Sequence, residues 1–217
     1  MTDINSKTLS EQIYSILRDD IINHRLQGGE KLKLSSLKHR FKVSSTPIRE
    51  ALTRLMQEGL VNYQSNIGTS VIQLSKNDAR ELYQLKADLD ILAMKYSFEG
   101  PDKMLMLSDL GNVINHSMFY KNNNDYESAA ACSDKFHLVF YRYCNNSRLE
   151  MISDTINCPF SIFLSIYNKN HDVFAIHLDQ HRNICDALVD DDFDKASRLF
   201  REHMLHSYEC VIEGINI

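Results

Sequence analysis

Apolar residues recur along most of this chain at spacings of three and four, the period of helices with one buried face. Leu9, Ile13, Ile16, Leu17 and Ile21 mark a first helix, ended by Gln27-Gly28-Gly29. A short second helix carries Leu37 and Phe41 behind Ser35 and Ser36, whose hydroxyls are predicted to cap it. A third starts at Ser44-Ser45-Thr46, with hydroxyls for its free amides and Pro47 in the first turn, where a missing N–H is tolerated. Ile48, Leu52, Leu55 and Met56 give it an inner face and leave Arg49 and Arg54 pointing to solvent or a phosphate. The period then changes. Leu60 to Tyr63 and Thr69 to Ile72 read as two strands joined by a tight turn at Asn66-Ile67-Gly68. Three helices followed by a two-stranded wing predict a winged helix-turn-helix.

Beyond Leu74 every segment reads as helix. Ser75 and Asp78 form the start of a capping box. Leu82, Leu85, Leu89, Leu92 and Tyr96 set the stripe of a helix that Gly100-Pro101 ends. Further helices are predicted over 103–120, 126–144, 147–156, 160–167, 174–189 and 193–214, with Asp190-Asp191-Asp192 between the last two. Each needs a neighbour to cover its apolar stripe, which predicts an antiparallel helical bundle. The fold class is therefore mainly α, with a winged helix-turn-helix over 1–74 and an all-helical bundle over 75–217.

Composition narrows the class of function. The chain has 217 residues, 43% hydrophobic and 24% charged, ordinary for a soluble globular protein. It contains no run of apolar residues long enough to span a membrane, and its first residues lack a charged start followed by an apolar core. Neither a membrane span nor a secretion signal is expected, and the cytoplasm is the expected location. The five cysteines, Cys132, Cys144, Cys158, Cys185 and Cys210, contain no C-x-x-C pair and read as reduced, mostly buried thiols. The net charge of −5 conceals an asymmetry. Through Leu74 there are ten Lys and Arg against seven Asp and Glu, leaving fourteen against twenty-two for the remainder. Between Lys31 and Arg54 seven cations face only Glu50. Placed on the helices of a helix-turn-helix, that cluster points to double-stranded DNA.

Residues 8–72 resemble the N-terminal domain of GntR-family bacterial transcription regulators. The matching pieces are Gly29-Glu30-Lys31-Leu32 after Leu26, Thr46-Pro47-Ile48-Arg49-Glu50-Ala51-Leu52, Leu55, Glu58-Gly59-Leu60-Val61 and Gly68. The resemblance implies DNA contacts from Ser35, Ser36, Lys38, Ser44, Ser45, Thr46, Arg49 and the wing near Asn66 and Gly68. The family usually has arginine where this chain has Ser45, so the bidentate grip on guanine is lost there.

Residues 78–208 resemble the FCD effector domain of the FadR-like branch of that family. The resemblance rests on Phe136-His137, Asn146, His181-Arg182-Asn183-Ile184-Cys185-Asp186-Ala187-Leu188, Asp194-Lys195-Ala196 and His203. It implies one divalent transition metal, zinc, nickel or manganese, on His137, His181 and His203, beside a pocket for a small organic acid. The family's fourth ligand is an aspartate four residues before the first histidine. Here that position is Ser133, and Asp134 stands three before, so Asp134 or a water completes the set. The family's effector-gripping arginine is Lys86 here, which keeps the cation but not the planar fork. Lys86 and Asn146 are the expected effector contacts. His171, His177 and His206 are read as surface residues.

A homodimer formed through the helical domain is implied, with two DNA half-sites about one turn apart or less. The acid would act by changing the link around Ser70–Asn77. Two other readings stay open. One keeps the DNA-binding domain and makes the bundle a metal-free, structural dimerisation module. The other is a metal-dependent enzyme, for which the sequence supplies no obvious general base.

Overall fold

The structure, a computed structural model, describes residues 7–167 and 171–214. It divides into two compact units: residues up to Ser75 with 157–162, and Lys76–Ile156 with the residues from Phe163 onward.

In the first unit, α1 (Leu9–Ile22), α2 (Leu34–Phe41) and α3 (Ser45–Gln57) precede β1 (Val61–Gln64) and β2 (Gly68–Val71). Thr8 and Glu11 close a capping box at the start of α1, each side chain accepting from the other's backbone N–H. Ile13, Leu17 and Ile21 bury with Ile48, Leu55 and Leu60 in one core. Leu9 and Ile16 extend the predicted stripe but stay exposed, as does Met56 on α3. The carboxylate of Asp20, buried at the end of α1, accepts from Arg25 at 2.6 Å and from Arg40 of α2 at 2.5 Å. Burial alone would raise its pKa, but the two guanidinium groups outweigh that and hold it below the ordinary carboxylate value. The strands pair antiparallel, Val61 opposite Val71 and Gln64 opposite Gly68. Asn66 and Gly68 turn the chain with φ of 71° and 95°, where a side chain at Gly68 would be strained.

Two predicted caps differ. Helix α2 starts at least two residues earlier than expected, with Lys33 at its cap, so Ser35 and Ser36 fall inside the first turn and are exposed. Ser44 does occupy the cap of α3 with extended backbone, yet makes no side-chain capping bond.

The second unit contains α4 (Lys76–Glu99), α5 (Lys103–Asn122), α6 (Tyr126–Ser133), α7 (Lys135–Tyr143), α9 (His171–Val189), α10 (Phe193–Gly214) and, apart from 157–162, α8 (Ser147–Tyr167). Helix α4 packs on α7 and α10, and α9 packs on α10 and α5. The helix predicted over 126–144 is jointed at Asp134, which caps α6 and starts α7. The two predicted over 147–156 and 160–167 are one, α8, which runs through Pro159. Proline removes one backbone bond, and here the helix continues past that loss.

The inner face of α4 is the largest departure from the hydrophobic pattern. Its buried residues include Tyr83, Lys86, Ala87, Asp90, Met94 and Ser97, whereas Leu85, Leu92 and Tyr96 remain 48%, 37% and 37% exposed. The helix turns a polar pair inward and leaves part of its leucine stripe outside.

Candidate metal centre and nucleic-acid interface

Four helices meet around that polar pair. On α9 and α10, His181 and His203 are buried at 3% and 2% exposure, and α7 supplies His137. Their ligand nitrogens all lie within 4.8 Å of one another. His203 Nε2 is 3.2 Å from His181 Nε2 and 3.4 Å from His137 Nε2. Each Nδ1 is held from behind. His137 Nδ1 meets Asp90 Oδ2 at 2.8 Å, His203 Nδ1 meets Gln180 Oε1 at 2.9 Å, and His181 Nδ1 meets the Ser133 hydroxyl at 3.2 Å. A carboxylate only accepts, so His137 donates from Nδ1 and its Nε2 keeps a lone pair. The ring of His181 also stacks on Phe136, with centroids 4.1 Å apart.

Burial and the neighbouring imidazoles hold His181 and His203 far below the ordinary histidine pKa. Burial lowers His137 as well, against the opposite pull of Asp90. Burial thus favours the neutral form of all three rings. That is the state in which imidazole binds a metal. The spacing also fits: tetrahedral zinc with Zn–N of about 2.0–2.1 Å places its ligand nitrogens about 3.3 Å apart. The residues present suit a borderline divalent ion.

Asp90 was not legible as part of this centre. Its carboxylate is fully buried and takes three groups at once: Lys86, His137, and the Tyr141 hydroxyl at 2.6 Å, with Lys86 one helical turn away on α4. Burial would raise its pKa, but Lys86 and His137 keep it below the ordinary carboxylate value. Its signal in the sequence was a charged pair four residues apart, which helical spacing places on one face.

Asp134 is not brought into the set of converging ligand atoms. The position four before His137 faces the cluster, and Ser133 occupies it; Asp134, one residue on, sits half-buried at the joint of α6 and α7. Lys86 is 3% exposed and paired with Asp90. Asn146 spends its side-chain oxygen on the start of α8, accepting from the N–H groups of Arg148 and Leu149 at 3.2 and 3.1 Å. His177 is no surface residue: it is 3% exposed and burial pushes its pKa down to about 3. His206 is half-buried, its Nδ1 3.1 Å from His177 Nε2. The side chain of His171 lies outside the described residues.

In the first unit, Ser35, Ser36, Lys38, Ser44, Thr46, Arg49 and Asn66 are exposed, while Ser45 and Gly68 are half-buried. The basic cluster splits by partner. Arg40 is tied to Asp20, and Arg54 lies 3.7 Å over the Tyr14 ring and pairs with Glu58 at 3.4 Å. Arg54 is exposed, but its guanidinium is engaged by Tyr14 and Glu58. Lys31, Lys33, Lys38, Lys42 and Arg49 are exposed and make no ion pair among the described residues.

A winged helix-turn-helix in a chain with an all-helical second unit defines a class of DNA-binding regulator. The comparisons give the family. Residues 9–71 match "Bacterial regulatory proteins, gntR family" and residues 81–206 match "FCD domain". The chain belongs to the GntR family of bacterial transcription regulators and carries an FCD domain. It is 24% identical over 200 residues to the HTH-type transcriptional regulator YdhC of Bacillus subtilis (strain 168), covering 91% of this chain and 88% of that protein. It is 25% identical over 206 residues to the HTH-type transcriptional repressor GlaR of Escherichia coli (strain K12), covering 88% and 90%. A transcriptional regulator GntR from Rhodococcus sp. RHA1 has the same fold, with TM-score 0.76 at 18% identity over 95% of this chain and 99% of that one. These families and relatives are regulators, not enzymes. Among the described residues no helix is long and apolar enough to cross a membrane.

Proposed function

We propose that His137, His181 and His203 hold one divalent transition metal, and that a small organic acid bound beside it sets operator affinity. The observation that carries this reading is the convergence of three Nε2 atoms whose Nδ1 atoms are each engaged from behind. With acceptors behind their Nδ1 atoms, His137 and His203 aim their Nε2 lone pairs toward one point, which a cation would satisfy. When bound, the ion supplies a Lewis-acid site for a carboxylate oxygen. Asp90 fixes the tautomer of His137 and raises its basicity, as carboxylates behind metal-bound imidazoles do. Ser133, rather than Asp134, faces the ligands and takes the fourth place with its hydroxyl or a water it holds.

An entering carboxylate competes with Asp90 for the ammonium of Lys86. Any contact from Asn146 falls to its Nδ2, since the oxygen is spent on α8. Lys86 and Asp90 sit on α4, and only four residues, 72–75, separate that helix from the wing strand β2. Strain on α4 therefore reaches the wing through a short connection. A second seat for the acid is favoured by one feature. A cleft of about 540 Å³ on α4 and α10 is lined by Arg80, Arg201, Tyr83 and Tyr208, with Arg201 paired to Asp88 at 2.8 Å.

On DNA, Ser44, Ser45 and Thr46 present hydroxyls at the start of α3 that capping does not consume, together with that helix's free amides. Arg49 and Lys38 supply charge, Ser35 and Ser36 reach the flanking backbone, and Asn66 and Gly68 carry the wing. The exposed Leu85, Leu92 and Tyr96 of α4 are the face through which two copies pair.

The test is the metal content of the full chain by mass spectrometry beside His137→Ala. One transition ion fewer per chain in the variant than in the wild type is the expected result. Absence of metal after incubation with zinc or nickel would leave a structural bundle. With metal established, carboxylic acids are screened by their effect on operator affinity. A response abolished by Lys86→Met places the acid at the centre, and one abolished by Arg201→Met places it in the cleft.

A further inference from the structure

The histidine stripe continues past what one ion needs. On α9, His177 and His181 are one turn apart; on α10, His203, His206, Ser207 and Cys210 share a face at spacings of three and four. His181 and His203 belong to the first centre. The remaining three metal-ligating side chains, His177, His206 and Cys210, form a second group whose ligand atoms also lie within 4.8 Å of one another.

Its geometry is that of a binding site. His177 Nε2 is 3.1 Å from His206 Nδ1 and 3.3 Å from the Ser207 hydroxyl. Cys210 Sγ is 3.9 Å from His206 Nδ1. With Zn–N of about 2.0–2.1 Å and Zn–S of about 2.3 Å, a tetrahedral ion separates its ligand nitrogens by about 3.3 Å and nitrogen from sulfur by about 3.6 Å. The His177–His206 and His206–Cys210 separations meet both values to within a few tenths of an ångström. His177 is buried at 3% exposure and Ser207 at 2%, while His206 and Cys210 are half-buried, so the site has a closed side and an accessible one. The ring of His177 is 5.1 Å from that of His203, so the two groups adjoin along the α9–α10 seam.

We propose that His177, His206 and Cys210 form a second metal site, with two imidazoles and one thiolate, for a thiophilic ion, zinc foremost. The donor set differs in kind from the three-nitrogen centre, because a thiolate favours softer ions than imidazole alone. Ser207 or a water takes the fourth position. Cys210 releases its proton when the ion binds, as thiol ligands do. The proposal does not depend on the first centre being loaded.

Cobalt separates the two sites, because only a thiolate gives a sulfur-to-cobalt charge-transfer band in the near ultraviolet. The full chain, stripped with a chelator, is titrated with Co²⁺ while the band and the bound metal are both followed. The expected result is about two ions per chain with the band in the wild type. In Cys210→Ser the band disappears and about one ion remains, and His206→Gln behaves the same way, with circular dichroism reporting the helices. His137→Ala keeps the band and loses the other ion. A wild type that binds one ion and shows the band upholds this site and removes the first. No band in the wild type overturns the proposal. A band that survives in Cys210→Ser also overturns it, since the thiolate would then come from another cysteine.

Discussion

Asp90 gathers a lysine, a tyrosine hydroxyl and an imidazole around one fully buried carboxylate, and Arg49 stands exposed with no ion pair among the described residues. These two side chains mark the extremes of what a charged residue does here. Asp90→Asn leaves the buried Lys86 without its counter-charge and His137 without its carboxylate. The variant is expected to lose about 3 kcal/mol of stability in denaturant, the scale for breaking a buried pair. Its zinc affinity should fall about 10–100-fold. An unchanged unfolding midpoint would show that Asp90 carries neither load. Arg49→Ala touches nothing in the fold, so its effect belongs to DNA alone. Operator binding by fluorescence anisotropy is expected to weaken about tenfold or more with an unaltered melting temperature. Arg54→Ala should instead lower stability, because that guanidinium lies over Tyr14 and pairs with Glu58.

At the scale of elements, the helices were legible where their caps and breakers were strong and blurred where tertiary contacts decide. Gly100-Pro101 and the three aspartates at 190–192 ended helices where expected, since each removes or strains the next turn, whereas α1 stopped at Ile22, before Gln27-Gly28-Gly29. Pro159 did not end α8, and Asp134 divided a segment that carries no breaker at all. Nothing local distinguishes those two outcomes. The junction of α1 with α2 rests on Asp20 and gives a pH prediction. Its folded pKa is depressed, so its contribution is present above the unfolded carboxylate value near 3.8 and is lost as pH falls through the folded value. The melting temperature of Asp20→Asn should lie below wild type at pH 7, and the gap should close as pH drops below about 4. A gap constant down to acid pH would mean the two arginines do not hold the carboxylate in solution.

For the whole molecule, the unpartnered stripe of α4 bears on assembly. Leu92→Glu places a charge in the face assigned to the second copy. Sedimentation should shift toward monomer, and operator binding should weaken because two half-sites can no longer be held together. A variant that stays dimeric moves the interface elsewhere on the bundle. The leucines of α4 also show the limit of pattern reading. Periodicity identified a helix with an apolar stripe, but Leu85 and Leu92 stay outside while Lys86 and Asp90 go in. A stripe names a face, not its neighbour.

The sequence by itself determined the local and covalent matters: helix periods, the wing's change of period, the basic cluster over 31–54, and His137, His181 and His203 by their resemblance to a family. Those features depend on residues close together in the chain or on a motif. Only the tertiary structure decided that the three Nε2 atoms converge, that Ser133 and not Asp134 faces them, that Asp90 stands behind His137, and that His177 is buried beside His206 and Cys210. Each of those joins side chains from different helices. The phase of one helix against another is set by how all their side chains pack at once, and no single helix's spacing contains it.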